Sequence, residues 1–108
     1  MAAGPFRIAL VTAPNMKTAE RIAVDLVDNK LAACVNCVPG LISHYRWKGK
    51  RMRDREVLLV IKTRAPLFKR LEAAVKAVHP YDVPEIIGIP VLEGHAPYLQ
   101  WLGAQTGR

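Results

Sequence analysis

The sequence predicts an α+β domain of the ferredoxin-like type, βαββαβ, with an extended β-hairpin and a short C-terminal helix. Three observations carry that prediction. Apolar β-forming runs alternate with two stretches whose apolar residues recur at i, i+3, i+4 and i+7. Pro39-Gly40 interrupts one extended run, and His79-Pro80 closes the second helical stretch. With 108 residues, 51% of them hydrophobic and 23% charged, residues 1–108 read as a single domain with its own core.

Phe6 to Ala13 is rich in β-formers and ends at Pro14-Asn15, so it reads as a buried first strand. Asn15 is suited to cap the helix that follows. There Ala19, Ile22, Ala23, Leu26 and Val27 form one apolar stripe. An extended stretch follows from Ala32 to Trp47, with Pro39-Gly40 marking a bend or bulge. Gly49 and the polar residues after it supply a hairpin turn, and Glu56 to Thr63 returns as a central strand. Ala65-Pro66 opens the second helix, whose stripe is Leu67, Leu71, Ala74, Val75 and Val78. Glu85 to Leu92 is the fourth strand, with Pro90 near its end. A helix from about Pro97 places Tyr98, Trp101 and Leu102 on one face.

The hairpin of residues 41–63 is longer than a small sheet requires. Its end would expose unpaired backbone together with Tyr45 and Trp47, an edge that proteins normally cover or pair. Pairing with further copies of the chain solves this. No apolar run reaches the roughly 20 residues of a membrane-spanning helix. Met1 to Phe6 lacks the pattern of a leader, so the expected location is cytoplasmic.

Several segments resemble the CutA family. These are Leu10-Val-Thr-Ala-Pro14, Lys30-Leu-Ala-Ala-Cys-Val-Asn36, Tyr45-Arg-Trp-Lys-Gly-Lys50, Glu56 to Thr63, His79-Pro-Tyr-Asp-Val-Pro-Glu85 and Tyr98-Leu-Gln-Trp101. The resemblance implies a ferredoxin-like subunit in a tight homotrimer, a role in divalent-cation tolerance, and binding of copper or another divalent metal. It also implies that His79 and Glu85 belong to the metal site. Where some family members carry a cysteine ligand on the first strand, this chain has Val11. Cys37 replaces a more usual aliphatic residue, and Arg51-Met-Arg53 stands where several members are acidic.

Pro80 and Pro84 stiffen the segment between His79 and Glu85, so these two side chains are candidate metal ligands, with Cys34 as a candidate soft ligand. The alternative is that His79 merely ends its helix and Glu85 is a strand-start charge. Cys34 and Cys37 lie three apart in an extended segment, so their thiols should diverge, as buried small residues rather than a redox pair.

A second candidate is a small-anion site at a subunit boundary, gathering Tyr45, Trp47, Lys50 and Lys62, by analogy with ligand-sensing trimers of the PII type. Tyr45, Trp47, Tyr98 and Trp101 are the expected oligomer contacts. The net charge is +7, and Arg46, Lys48, Lys50, Arg51, Arg53 and Arg55 crowd the hairpin. The central strands nevertheless lack the stacking aromatics of ferredoxin-like RNA-binding modules, which argues against nucleic acid as a partner. No phosphate-cradling glycine loop, nucleophile elbow or nucleophile–base pair is evident, so the chain reads as a non-enzyme without an organic cofactor.

Overall fold

The computed structural model describes residues 4–107; residues 1–3, part of the stretch without a leader pattern, and residue 108 lie outside the described residues. The elements are β1 (Phe6–Ala13), α1 (Met16–Asp28), β2 (Cys34–Trp47), β3 (Lys50–Arg64), α2 (Phe68–Val78), β4 (Ile86–Pro90) and α3 (Ala96–Gln105). A 3-10 turn, Ala65–Leu67, leads into α2. The four strands pair antiparallel in the order β2-β3-β1-β4, which is the predicted ferredoxin-like arrangement.

Local chemistry sets the helix ends. Asn15 is extended, and its side-chain oxygen accepts from the Thr18 N–H at 2.8 Å, capping α1. At the other end Lys30 adopts φ 58°. The Leu31 N–H donates to the Leu26 carbonyl and the Lys30 N–H to that of Val27, the paired bonds of a Schellman motif. Glycine usually occupies that left-handed position, because a Cβ crowds the backbone there. His79, extended just before Pro80, ends α2.

One face of the sheet carries Ala9, Val11, Ala13, Leu59 and Ile61, all fully buried against Ile22 and Leu26 of α1 and Leu71 and Val75 of α2. Burying each of the larger side chains contributes about 1.5–3 kcal/mol. Val27 lies outside this core and is exposed, at the margin of a helix face whose buried residues are Ala19, Ile22 and Leu26. Of the α3 residues expected on one face, Leu102 is buried whereas Tyr98 and Trp101 face outward.

The hairpin departs from expectation in one respect. Only Lys48 and Gly49 form the turn, at φ 50° and 81°, and Lys50 already pairs with Trp47. Two left-handed residues match the twist of the flanking strands. Residues 50–55 are therefore strand rather than turn: their backbone pairs with residues 42–47 although Met52 is the only apolar side chain among them. At Val38 to Leu41, β2 advances three residues while β3 advances two, from Leu58 to Glu56. This is the predicted bulge at Pro39-Gly40, with Gly40 at φ 85°.

The opposite sheet face is apolar in its middle, with Leu10, Leu58 and Val60 half-buried and Val38, Ile87 and Ile89 exposed. At its far end α3 folds back, Arg64 donating to the Thr106 hydroxyl at 2.8 Å. Among the described residues no element covers the middle of that face. We expect Lys30→Gly to raise stability by about 0.5–1 kcal/mol, read from denaturant unfolding, because it relieves the left-handed residue behind α1.

Candidate functional site

Where the base of the hairpin passes the loop between α2 and β4, the chain forms an open cleft of about 630 Å³. Ser43, His44, Tyr45 and Trp47 come from β2, Glu56 from β3, Thr12 from β1, and Tyr81 to Glu85 from the loop. Alternation along β2 and β3 brings Tyr45 and Trp47 to the same side as Glu56.

His79 lies beneath the cleft and holds its wall. The ring is buried, with Nε2 at 2.7 Å from the Thr12 carbonyl. A carbonyl only accepts, so Nε2 carries the proton and donates, while Nδ1 accepts from the Tyr81 N–H at 3.2 Å. The ring also packs on Tyr81 at a centroid distance of 4.6 Å. In this arrangement the single lone pair of the imidazole is already used within the subunit.

Tyr81 in turn donates its hydroxyl to Glu56 at 2.8 Å, and Tyr45 donates to Asp54. Burial first, then the hydrogen bond to the Glu56 carboxylate, pushes the Tyr81 phenol well above the ordinary value of 10.0. The Tyr45 phenol is also pushed up, chiefly by its hydrogen bond to Asp54. Both rings are therefore neutral donors clamped to carboxylates at physiological pH.

The predicted metal residues separate. Glu85 lines the cleft and is exposed, His79 sits below it, and Cys34 lies elsewhere. Cys34 pairs with Lys62 on β3 whereas Thr12 pairs with Leu58, four residues away, or roughly 13 Å along the strand. Among the described residues no three His, Cys, Asp or Glu side chains converge to hold a metal ion. Cys37 turns to the core side, and burial, with Glu20 nearby, pushes its thiol up. The two thiols diverge, as their spacing predicts.

Of the anion candidates, Lys50 stands directly opposite Trp47 on the side that also carries Tyr45, whereas Lys62 lies twelve residues on from Lys50, roughly 40 Å along the strand. The Lys62 ammonium donates to the Asn36 side chain. Tyr98 and Trp101 pack on each other at 5.5 Å on α3, at the opposite end of the sheet from the hairpin turn. The sequence reading missed Glu56 and Tyr81 as site members. A tyrosine two residues after the helix-ending His79 was the available signal, but its partner comes from 25 residues away.

A family model described as CutA1 divalent ion tolerance protein matches residues 7–105. The chain belongs to the CutA1 family. It is 50% identical over 100 residues to the divalent-cation tolerance protein CutA of Thermus thermophilus, covering 93% of this chain and 97% of that one. It is also 50% identical to human Protein CutA over 103 residues, which is 95% of this chain but 58% of the human protein's length. Among solved structures, the divalent cation tolerance protein of Thermus thermophilus superposes with a TM-score of 0.93 at 49% identity, covering 94% of this chain and 99% of that one. CutA1 from Oryza sativa also gives a TM-score of 0.93, at 47% identity, covering 97% and 96% of the two chains. The family and its CutA1 fold are thereby established for this chain.

Replacing Tyr81 by Phe is expected to cost about 1 kcal/mol at neutral pH. A phenol held higher when folded contributes stability in full below its unfolded value of 10.0 and loses it as pH rises further. The deficit of Tyr81→Phe should therefore stay level from pH 7 to 9 and shrink above pH 10 in pH-dependent urea unfolding.

Proposed function

We propose that this chain serves divalent-cation tolerance as a cytoplasmic, non-enzymatic homotrimer that binds copper or another divalent ion at the carboxylate-lined cleft around Glu85. The observation that carries the assembly is the bare apolar sheet face together with the over-length ribbon of β2 and β3. The chain exposes 7053 Å² of surface, against about 6,000 Å² for a compact monomer of its mass. Its radius of gyration of 14.4 Å likewise exceeds the roughly 13 Å expected for this length.

The two sheet edges are unlike: β2 has 14 residues and β4 has five. The two exposed aromatic pairs, Tyr45 with Trp47 and Tyr98 with Trp101, also lie toward opposite ends. Unlike surfaces favour a head-to-tail contact, which closes into a ring when the rotation allows. Three copies is the ring that the family resemblance implies.

The carboxylates that line the cleft with Glu85 are Glu56 and Asp82, whereas His44, which also borders it, belongs by register to the other side of the ribbon. Carboxylates suit hard divalent ions and imidazole suits copper or zinc. Because His79 has its lone pair engaged, an ion here would draw on these groups or on a neighbouring copy. Cys34, on the face that assembly would cover, would join only across a subunit boundary. The small-anion alternative likewise requires a neighbour, to bring a Lys62 to another copy's Tyr45 and Trp47.

Sedimentation at micromolar concentration is expected to give three times the chain mass of 12.0 kDa, and Tyr45→Ala with Trp47→Ala to release monomers. A double variant that stays trimeric would remove the ribbon from the interface. Calorimetric titration with copper(II) or zinc should show binding that Glu85→Gln weakens at least tenfold. Unchanged affinity in that variant would place the ion elsewhere.

A further inference from the structure

The ribbon of β2 and β3 has two chemically different faces beyond the bulge. Leu41, Ser43, Tyr45 and Trp47 share one with Glu56, Asp54, Met52 and Lys50. On the other, Ile42 stands opposite Arg55, His44 opposite Arg53, and Arg46 opposite Arg51. Like charges directly opposite one another destabilise a ladder, yet here Arg46 is paired directly with Arg51. Among the described residues none of Arg46, Arg51, Arg53 and Arg55 forms an ion pair. All four are exposed, and Arg46 reaches only the Gly49 carbonyl at 3.5 Å. No acidic side chain shares this face of the ribbon. The basic face continues the helix-bearing side of the sheet and points away from the bare apolar side. Assembly through the apolar side, as proposed above, leaves it in water.

We infer that this face binds the phosphate backbone of nucleic acid without reading its sequence. Its rows recur every second residue, about 7 Å apart along the strands. That step is comparable to the separation of successive phosphates along a nucleic-acid strand and more than twice the step in inorganic polyphosphate. Guanidinium groups meet phosphate oxygens through paired, charge-assisted hydrogen bonds. Tyr45 and Trp47 are on the opposite face and cannot stack on bases bound here, and no Asn or Gln lies among the basic residues to read adenine. The contact therefore positions a strand and does not select one. The stacking aromatics of RNA-binding modules, absent from the central strands, serve base recognition; phosphate contacts require no ring.

Fluorescence polarisation with a labelled oligodeoxythymidine and a mixed-sequence duplex tests this. Four guanidinium contacts per ribbon predict a slope of log K against log salt of about −2.8 on the single strand and −3.6 on the duplex, with similar affinity across sequences. Arg51→Glu with Arg53→Glu should lower affinity more than tenfold at low salt and reduce the duplex slope by about 1.8 per ribbon. Its melting temperature should not fall, since Arg46 then faces a carboxylate. Lys17→Glu with Lys76→Glu, an equal charge change on exposed helix positions, should leave the slope intact. Equal loss in both double variants would reduce the effect to net charge and overturn the inference. So would the absence of binding at low salt, or tighter binding of inorganic polyphosphate than of either DNA.

Discussion

The antiparallel register between β2 and β3 is the constraint on which the rest of this molecule depends. It runs from Cys34↔Lys62 to Trp47↔Lys50 with a single interruption. Because strand side chains alternate, that register decides which residues meet the helices, which meet the cleft and which face water. The core side of β3 holds Leu59 and Ile61 against α1 and α2. Toward the ribbon its other side presents Glu56 to Tyr81 and Asp54 to Tyr45. The cleft is therefore a product of strand pairing first and of loop placement second.

His79 illustrates how a residue type suited to one chemistry can be engaged by another. Its ring bridges the end of β1, through Thr12, and the loop that carries Tyr81 and Glu85. An imidazole with one nitrogen donating to a carbonyl and the other accepting from an amide is fully satisfied, and a buried group of that kind holds its surroundings in place. The loop is thereby pinned against the ribbon, so that Glu56 accepts from a phenol arriving from a different layer of the fold.

Much of the architecture is legible in the sequence because its signals are local. Asn15 caps the helix beside it, Pro39-Gly40 marks its own bulge, and His79-Pro80 ends its own helix. The β-rich runs Phe6 to Ala13 and Val57 to Ile61 needed no tertiary context. Residues 50–55 read as turn because strand prediction leans on apolar content, and only Met52 among them is apolar. The hydrogen bonding of His79 was not legible, since it depends on a carbonyl 67 residues away. Nor was the distance between Cys34 and His79, which follows only from registers shared by three strands.

The bulge has a bearing on how this family's ribbons can vary. Its one extra residue offsets the parity of β2 against β3 between Val38 and Leu41. Loss of a single residue there, with the turn pairing kept, would close the bulge and leave Tyr45 and Trp47 on the side of Asp54 and Glu56, because residues paired across the ladder share a side. One residue added to each strand beyond the bulge would instead turn the whole distal ribbon over relative to the sheet. Lengthening or shortening the arm in steps of two preserves the division of labour between its sides, whereas an odd step inverts it. Arm length in such a molecule is thus quantised by chirality and pleat, and insertions are tolerated in pairs.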